Sequence, residues 1–326
     1  MTQTAPVEPG AHRSRRLADG TLLFITLVWG VTFVAVKDAV SRVPVFSFLT
    51  LRFALAAVTL ALWLAVKGWK SRRRGAEPAG GSGGSPDGPP ASWAGLLTGG
   101  LLFLGYAFQT LGLQYTSPGK AGFITGLSVV LVPILEAWVF RRPPGRAALV
   151  GVALAAAGMA VMSLEPADLA VHRGDLLVLM CAVAFGAHVT AVAHLGRRSE
   201  SVSFTLWQVL AVVALSAAVA SFERWEGRGL DAAVAGTLVV TGPLVSGVLL
   251  LAQVWGQRRT SATHAAVIFA MEPVFAALGG WALAGERLGV RGLVGGVLIL
   301  AGMLAAELGR HGTRPLPLES PASRPA

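Results

Sequence analysis

Glu272 stands ten residues inside an apolar run, about 262–284, that holds no other Asp, Glu, Lys or Arg. A carboxylate so placed can accept a proton or the ammonium group of a ligand, or it can be satisfied by a structural partner. Pro273 beside it lacks a backbone donor and crowds the carbonyl four residues back, so an unpaired carbonyl is expected near that carboxylate. Arg52, the one charge in the run 46–66, offers a guanidinium that can bind a carboxylate, pair with Glu272 or Glu136, or snorkel towards water. His188 can change charge near neutral pH, although a histidine in such a run more often donates one hydrogen bond between helices. Gln109 and Gln253 can grip a polar ligand or glue helix to helix. Trp29, Phe33, Tyr106 and Phe269 are suited to walling a cavity, as are Trp207 and Trp255.

The elements that must position these groups are membrane helices. The chain is 54% hydrophobic and 13% charged with a mean hydropathy of +0.64, far too apolar for a soluble globular protein. A hydrocarbon core needs roughly 20 mostly apolar residues per crossing helix. Ten runs meet that need, at about 20–37, 46–66, 93–115, 121–140, 147–164, 174–195, 203–222, 236–255, 262–284 and 291–308.

The runs repeat. Residues 19–58 read onto 175–214 at a constant shift of 156, and 109–164 onto 253–308 at a shift of 144. Thr32 thereby meets His188, Arg52 meets Gln208, and Gln109 meets Gln253. The difference between the shifts is the Gly/Pro/Ser tract 75–91, a flexible linker that only the first copy has. Five runs per copy is an odd number, so the second copy enters the membrane in the opposite sense. The expected fold is an all-α membrane protein of ten transmembrane helices in two inverted five-helix repeats, 18–164 and 174–308, between tails 1–17 and 309–326.

Charge placement gives the orientation, because short cytoplasmic loops collect Lys and Arg. With both termini cytoplasmic, inner segments hold 18 of the 27 basic residues, Arg13, Lys67, Arg142, Arg197, Arg258 and Arg310 among them. The net charge of +10 is thus what orientation requires, and nucleic acid is excluded as a partner. Leu22 opens a run that continues into the bundle, so the N-terminus reads as a tail and not as a cleaved signal.

Enzymatic readings find little support. Gly126-Leu127-Ser128-Val129 comes nearest to a nucleophile turn but lacks the following glycine. Paired aspartates, a phosphate-binding lysine loop and a metal-ligand cluster are missing, so neither intramembrane proteolysis nor ATP-driven pumping has a basis, and no metal or cofactor is expected. The single cysteine, Cys181, excludes a disulfide framework and reads as packing. A membrane sensor would call for an attached soluble domain, and the tails are about 18 residues each. The small-residue runs Gly151, Ala155, Gly158 and Gly295, Gly302 read as a packing seam or a homodimer face.

Trp29-Gly30 with Phe33, Leu51-Arg52-Phe53, Glu272-Pro273-Val274-Phe275, the turn Gly285-Glu286 and the final run from Gly295 to Gly302 together resemble the drug/metabolite transporter superfamily. Within it the chain is similar to the EamA family of ten-span bacterial transporters, over residues 18–308. The first copy departs from the pattern, with Arg142 where the second has Glu286 and Ser128-Val129 where the second has Glu272-Pro273. The resemblance implies export of small metabolites or drugs across the bacterial cytoplasmic membrane by alternating access, through a site that Glu272, Arg52, Gln109, Gln253, His188, Thr32, Trp29, Phe33, Tyr106 and Phe269 are the candidates to build. Its partners would be the lipid bilayer, a small-molecule substrate and, if Glu272 titrates in the cycle, protons; a lone carboxylate permits proton antiport and facilitation alike.

Overall fold

The computed structural model describes residues 9–73, 91–139, 145–163, 172–196, 199–259, 265, 268–287 and 289–308. The tract 75–91 up to its last residue, the tail 309–326, the basic pair Arg141 and Arg142, and His264 lie outside the described residues. Every regular element described is helical, as hydrocarbon demands of a backbone that must satisfy its own donors and acceptors. The first half holds α1 (Pro9–Val40), α2 (Val45–Arg73), α3 (Ala91–Leu113), α4 (Pro118–Gly126), α5 (Ser128–Val139) and α6 (Arg146–Ser163). The second holds α7 (Arg173–Leu195), α8 (Ser201–Ala220), α9 (Ala232–Val239), a π-helical segment (Val240–Leu249), α10 (Leu250–Gln257), α11 (Glu272–Ala284) and α12 (Val290–Leu308).

Seven stretches are helical, long and apolar enough to cross a membrane, and Leu149–Gly158 and Val290–Ala305 are shorter apolar helices. Large apolar side chains such as Phe24, Trp63, Leu278, Trp281 and Leu293 face outwards, where a multi-pass protein meets lipid. Helix α1 is described from Pro9 onwards, so it takes in half of the expected tail 1–17, and no proline interrupts it before Pro44.

Two of the expected continuous runs are broken. The run 121–140 divides at Leu127 into α4 and α5, and α11 begins only at Glu272, after a turn at Ala270 and Met271. Pro273 in the first turn of α11 cannot donate to the carbonyl four residues back, which ends the helix that precedes it. The two broken runs cross each other. A Cβ on Gly122 would stand 2.3 Å from the Ala276 methyl, and one on Gly126 would stand 2.5 Å from the Pro273 ring. Close crossing through small residues supplies dispersion contacts that lipid cannot replace.

The glycines of the expected seam or dimer face are spent inside the chain. α6 and α12 pack along each other, with a Cβ on Gly158 meeting the Gly295 carbonyl at 2.6 Å and one on Gly302 meeting the Gly151 carbonyl at 2.6 Å. That leaves these residues as a seam and not as a homodimer face.

Polar contacts gather at the two ends of the bundle. At one end Asp175 pairs with Lys120 at 2.7 Å and accepts from the Thr116 hydroxyl, Lys37 donates to the Thr116 carbonyl, and Glu286 accepts from the Gly119 amide. At that end too, Glu223 accepts from the amides of Phe46 and Ser47, while Arg42 bridges Asp38 and Asp231. At the opposite end Lys67 pairs with Glu200 and Arg258 donates to Ser201.

Candidate functional site

α1 and α7 bring Trp29, Thr32, Phe33, Phe185, His188 and Val189 to one central cavity. α2 adds Arg52, α3 adds Leu102, Tyr106, Gln109 and Leu113, the break between α4 and α5 adds Thr125 and Ser128, and α10 with the start of α11 adds Leu250, Gln253 and Glu272; Phe269 joins them. All ten residues expected from the sequence line it. The free volume is about 70 Å³, room for a few water molecules.

Glu272 is the first residue of α11, at the helix end whose unpaired amides favour an anion. Its carboxylate has no hydrogen bond or ion pair among the described residues. Arg52 is 3% exposed and also unpaired with any carboxylate among the described residues, so the anticipated bridges to Glu272 and Glu136 do not form. Its Nε–H donates instead to Ser246 Oγ at 2.7 Å, and its guanidinium lies 4.8 Å from the centre of the Tyr106 ring. Tyr106 in turn sits edge-on to Phe53 and Phe185, at 4.9 and 5.3 Å between ring centres. Such packing fixes the ring that carries the cation.

The remaining candidates take different roles. His188 Nε2 and Gln208 Oε1 are 2.7 Å apart, the interhelical bond expected of a buried histidine. Gln109 donates to Thr125 Oγ1 at 3.4 Å, whereas Gln253 Oε1 and Trp29 Nε1 are buried without a hydrogen-bond partner among the described residues. Thr32 donates to the Trp29 carbonyl, so only its oxygen's acceptor capacity is open to a ligand. Trp29 and Phe269 stack tilted with centres 5.7 Å apart beside the carboxylate wall. Trp207 and Trp255 do not line the cavity.

Sequence reasoning missed Thr125, Ser128 and Phe185, although the repeat contained the signal. Trp29 maps onto Phe185, Thr32 onto His188 and Phe33 onto Val189 at the shift of 156. Gln109 maps onto Gln253, Thr125 onto Phe269 and Ser128 onto Glu272 at the shift of 144. Twelve of the eighteen lining residues therefore fall into couples related by the repeat, and each charge has a neutral counterpart: Glu272 has Ser128, and Arg52 has Gln208 behind the lining.

Comparison with known proteins agrees with this organisation. The model of the EamA-like transporter family matches twice, at residues 16–164 and 172–306. An uncharacterized transporter of Archaeoglobus fulgidus is 33% identical over 92% of this chain and 89% of its own length. The uncharacterized transporter YoaV of Bacillus subtilis is 21% identical over 86% of this chain and 94% of its own. One crystal structure, 18% identical, superimposes with a TM-score of 0.61 over 89% of this chain and 96% of that one, which speaks for the fold alone. A central cavity lined twice over by one repeated motif, in a chain that the family model matches in two copies, makes this membrane protein a member of the EamA-like transporter family.

Proposed function

We propose that the chain is a ten-span exporter of two inverted five-helix repeats, which moves small amino-acid-like metabolites or cationic drugs across the cytoplasmic membrane by alternating access. The observation that carries this reading is the paired lining of the cavity, since a site to which both copies contribute equivalent positions is expected on the axis that relates them. An odd number of crossings per copy makes that axis lie in the membrane plane. The two groups of end contacts support the same topology: one joins segments that the charge pattern puts outside, the other joins segments it puts inside, with both termini cytoplasmic.

The charges of the site suit a substrate with an ammonium for Glu272 and a carboxylate for Arg52, while a polyanion would meet a single cation. In alternating access the cavity would widen towards one side to load and towards the other to release. A proton taken up by Glu272 would compete with the substrate ammonium and couple export to a pH gradient. A thermal-shift screen of the purified protein against a metabolite library tests the substrate class, because a ligand of the folded state raises apparent stability. Zwitterions are expected to raise it more than their decarboxylated or N-acetylated analogues. Stabilisation by polyanions alone would contradict the reading.

A further inference from the structure

Arg52 and Ser246 form a pair that the repeat does not duplicate. Ser246 lies outside both repeated stretches and is fully buried behind the cavity lining. It belongs to the π-helical segment, which contains Pro243. The missing amide of the proline and its ring against the carbonyl four residues back favour a wider turn, which re-aims the side chains that follow. The π segment also lies hard against α2, for a Cβ on Gly242 would stand 2.8 Å from the Arg52 carbonyl.

We propose that Ser246 is a positioning residue that turns Arg52 into a seat for the anionic group of the substrate. A guanidinium offers five N–H donors in a rigid fork. Ser246 Oγ takes the Nε–H at 2.7 Å and the Tyr106 ring supports the face of the cation. The two terminal nitrogens are thereby left for the cavity, in the geometry that receives a carboxylate through two parallel hydrogen bonds. Thr32 and Gln253, which line the same cavity, have spare acceptor oxygens unsuited to an anion, whereas Arg52 is the one cation of the lining and so its seat for a carboxylate. This rests on reading the cavity as the substrate site and adds to it an orientation: substrate carboxylate towards α2 and the π segment, ammonium towards the start of α11.

Phenylglyoxal, which modifies accessible guanidinium groups, tests the seat on the purified full-length protein, with the Arg52 peptide followed by mass spectrometry. The probes are acetate, methylamine and glycine. Acetate and glycine are expected to slow modification of Arg52 and methylamine to leave it unchanged. Ser246→Ala should weaken acetate protection roughly tenfold, the scale of one hydrogen bond to a charged group. Ser246→Thr should restore it, which a general loss of packing would not do. Undiminished acetate protection in Ser246→Ala overturns the positioning role. An Arg52 that is unreactive, or unprotected by acetate and glycine in the wild type, overturns the seat. Failure of the transporter reading has a separate signature, since acetate protection would then persist in a protein that no zwitterion stabilises in the thermal screen.

Discussion

Glu272 combines three features that seldom coincide for structural reasons alone: an apolar run around it, a helix start beneath it and no bonded partner among the described residues. A charge in an apolar run without a partner is costly, and a site that alternately takes a proton and a cation can use such a group. Glu272→Gln keeps shape and hydrogen bonding while fixing the neutral state. The variant should insert normally and lose net transport driven by a pH gradient, and its residual ligand binding should no longer vary between about pH 5 and 8. Poor expression, with a surviving pH response, would instead mark the carboxylate as structural. Well-expressed Glu272→Gln with intact pH coupling would move the role to His188. The bond from His188 to Gln208 argues against that second choice, because it gives the imidazole an interhelical task.

Among the elements, the close crossing of α4 with α11 stands between the two breaks that carry the site. Ser128 and Glu272 begin the helices that follow the two breaks, so whatever moves this crossing moves both walls. Gly126→Val should destabilise the protein by about 1–3 kcal/mol through overpacking. Its side chain would enter a space where Pro273 Cγ is 2.5 Å and Met303 Cε 3.2 Å from the first added carbon. Gly100→Ala, with nothing within 4 Å of its added methyl, is the control and should melt near wild type in detergent. A second prediction belongs to the start of α9. Asp231 accepts from the amides of Val234 and Ala233 and pairs with Arg42; the Val234 amide first, then the guanidinium, hold its carboxyl below the usual carboxylate range. The stability it contributes is present above the ordinary carboxylate pKa and is lost as pH falls through the lowered one. Asp231→Ala should therefore lower the melting temperature at pH 7 and converge with wild type in strong acid; an equal deficit at both would contradict the assignment.

At the scale of the whole molecule, what the sequence disclosed depended on what repeats. Depth in an apolar run and the two constant shifts sufficed to bring Glu272, Arg52 and both glutamines to one cavity, since membrane helices leave little freedom in depth. Ser246 escaped, because a serine in an apolar run carries no mark of the π turn that aims it, and the break at Leu127 escaped because no proline stands beside it. The fate of the small residues in α6 and α12 was likewise a matter of partner and not of pattern. The tract 75–91 has few side chains to bury, so deletion of residues 77–89 should leave membrane expression and transport near wild type, measured side by side in cells.

The central claim is that one cavity opens in turn to either side of the membrane. The measurement that tests it most directly is the labelling of Ser128→Cys in a Cys181→Ser background by an impermeant maleimide, from outside in intact cells and from inside in inverted vesicles. Ser128 lines the cavity in the neutral counterpart position to Glu272, and Lys120 and Asp175 pair at the end that the charge pattern puts outside. Labelling should occur from both sides. Adding Lys120→Met, which leaves Asp175 buried without its cation, should raise the outside rate and lower the inside rate together. Rates that rise on both sides at once would describe a pore, and rates indifferent to Lys120 would deny that this end is a gate; either would contradict the account.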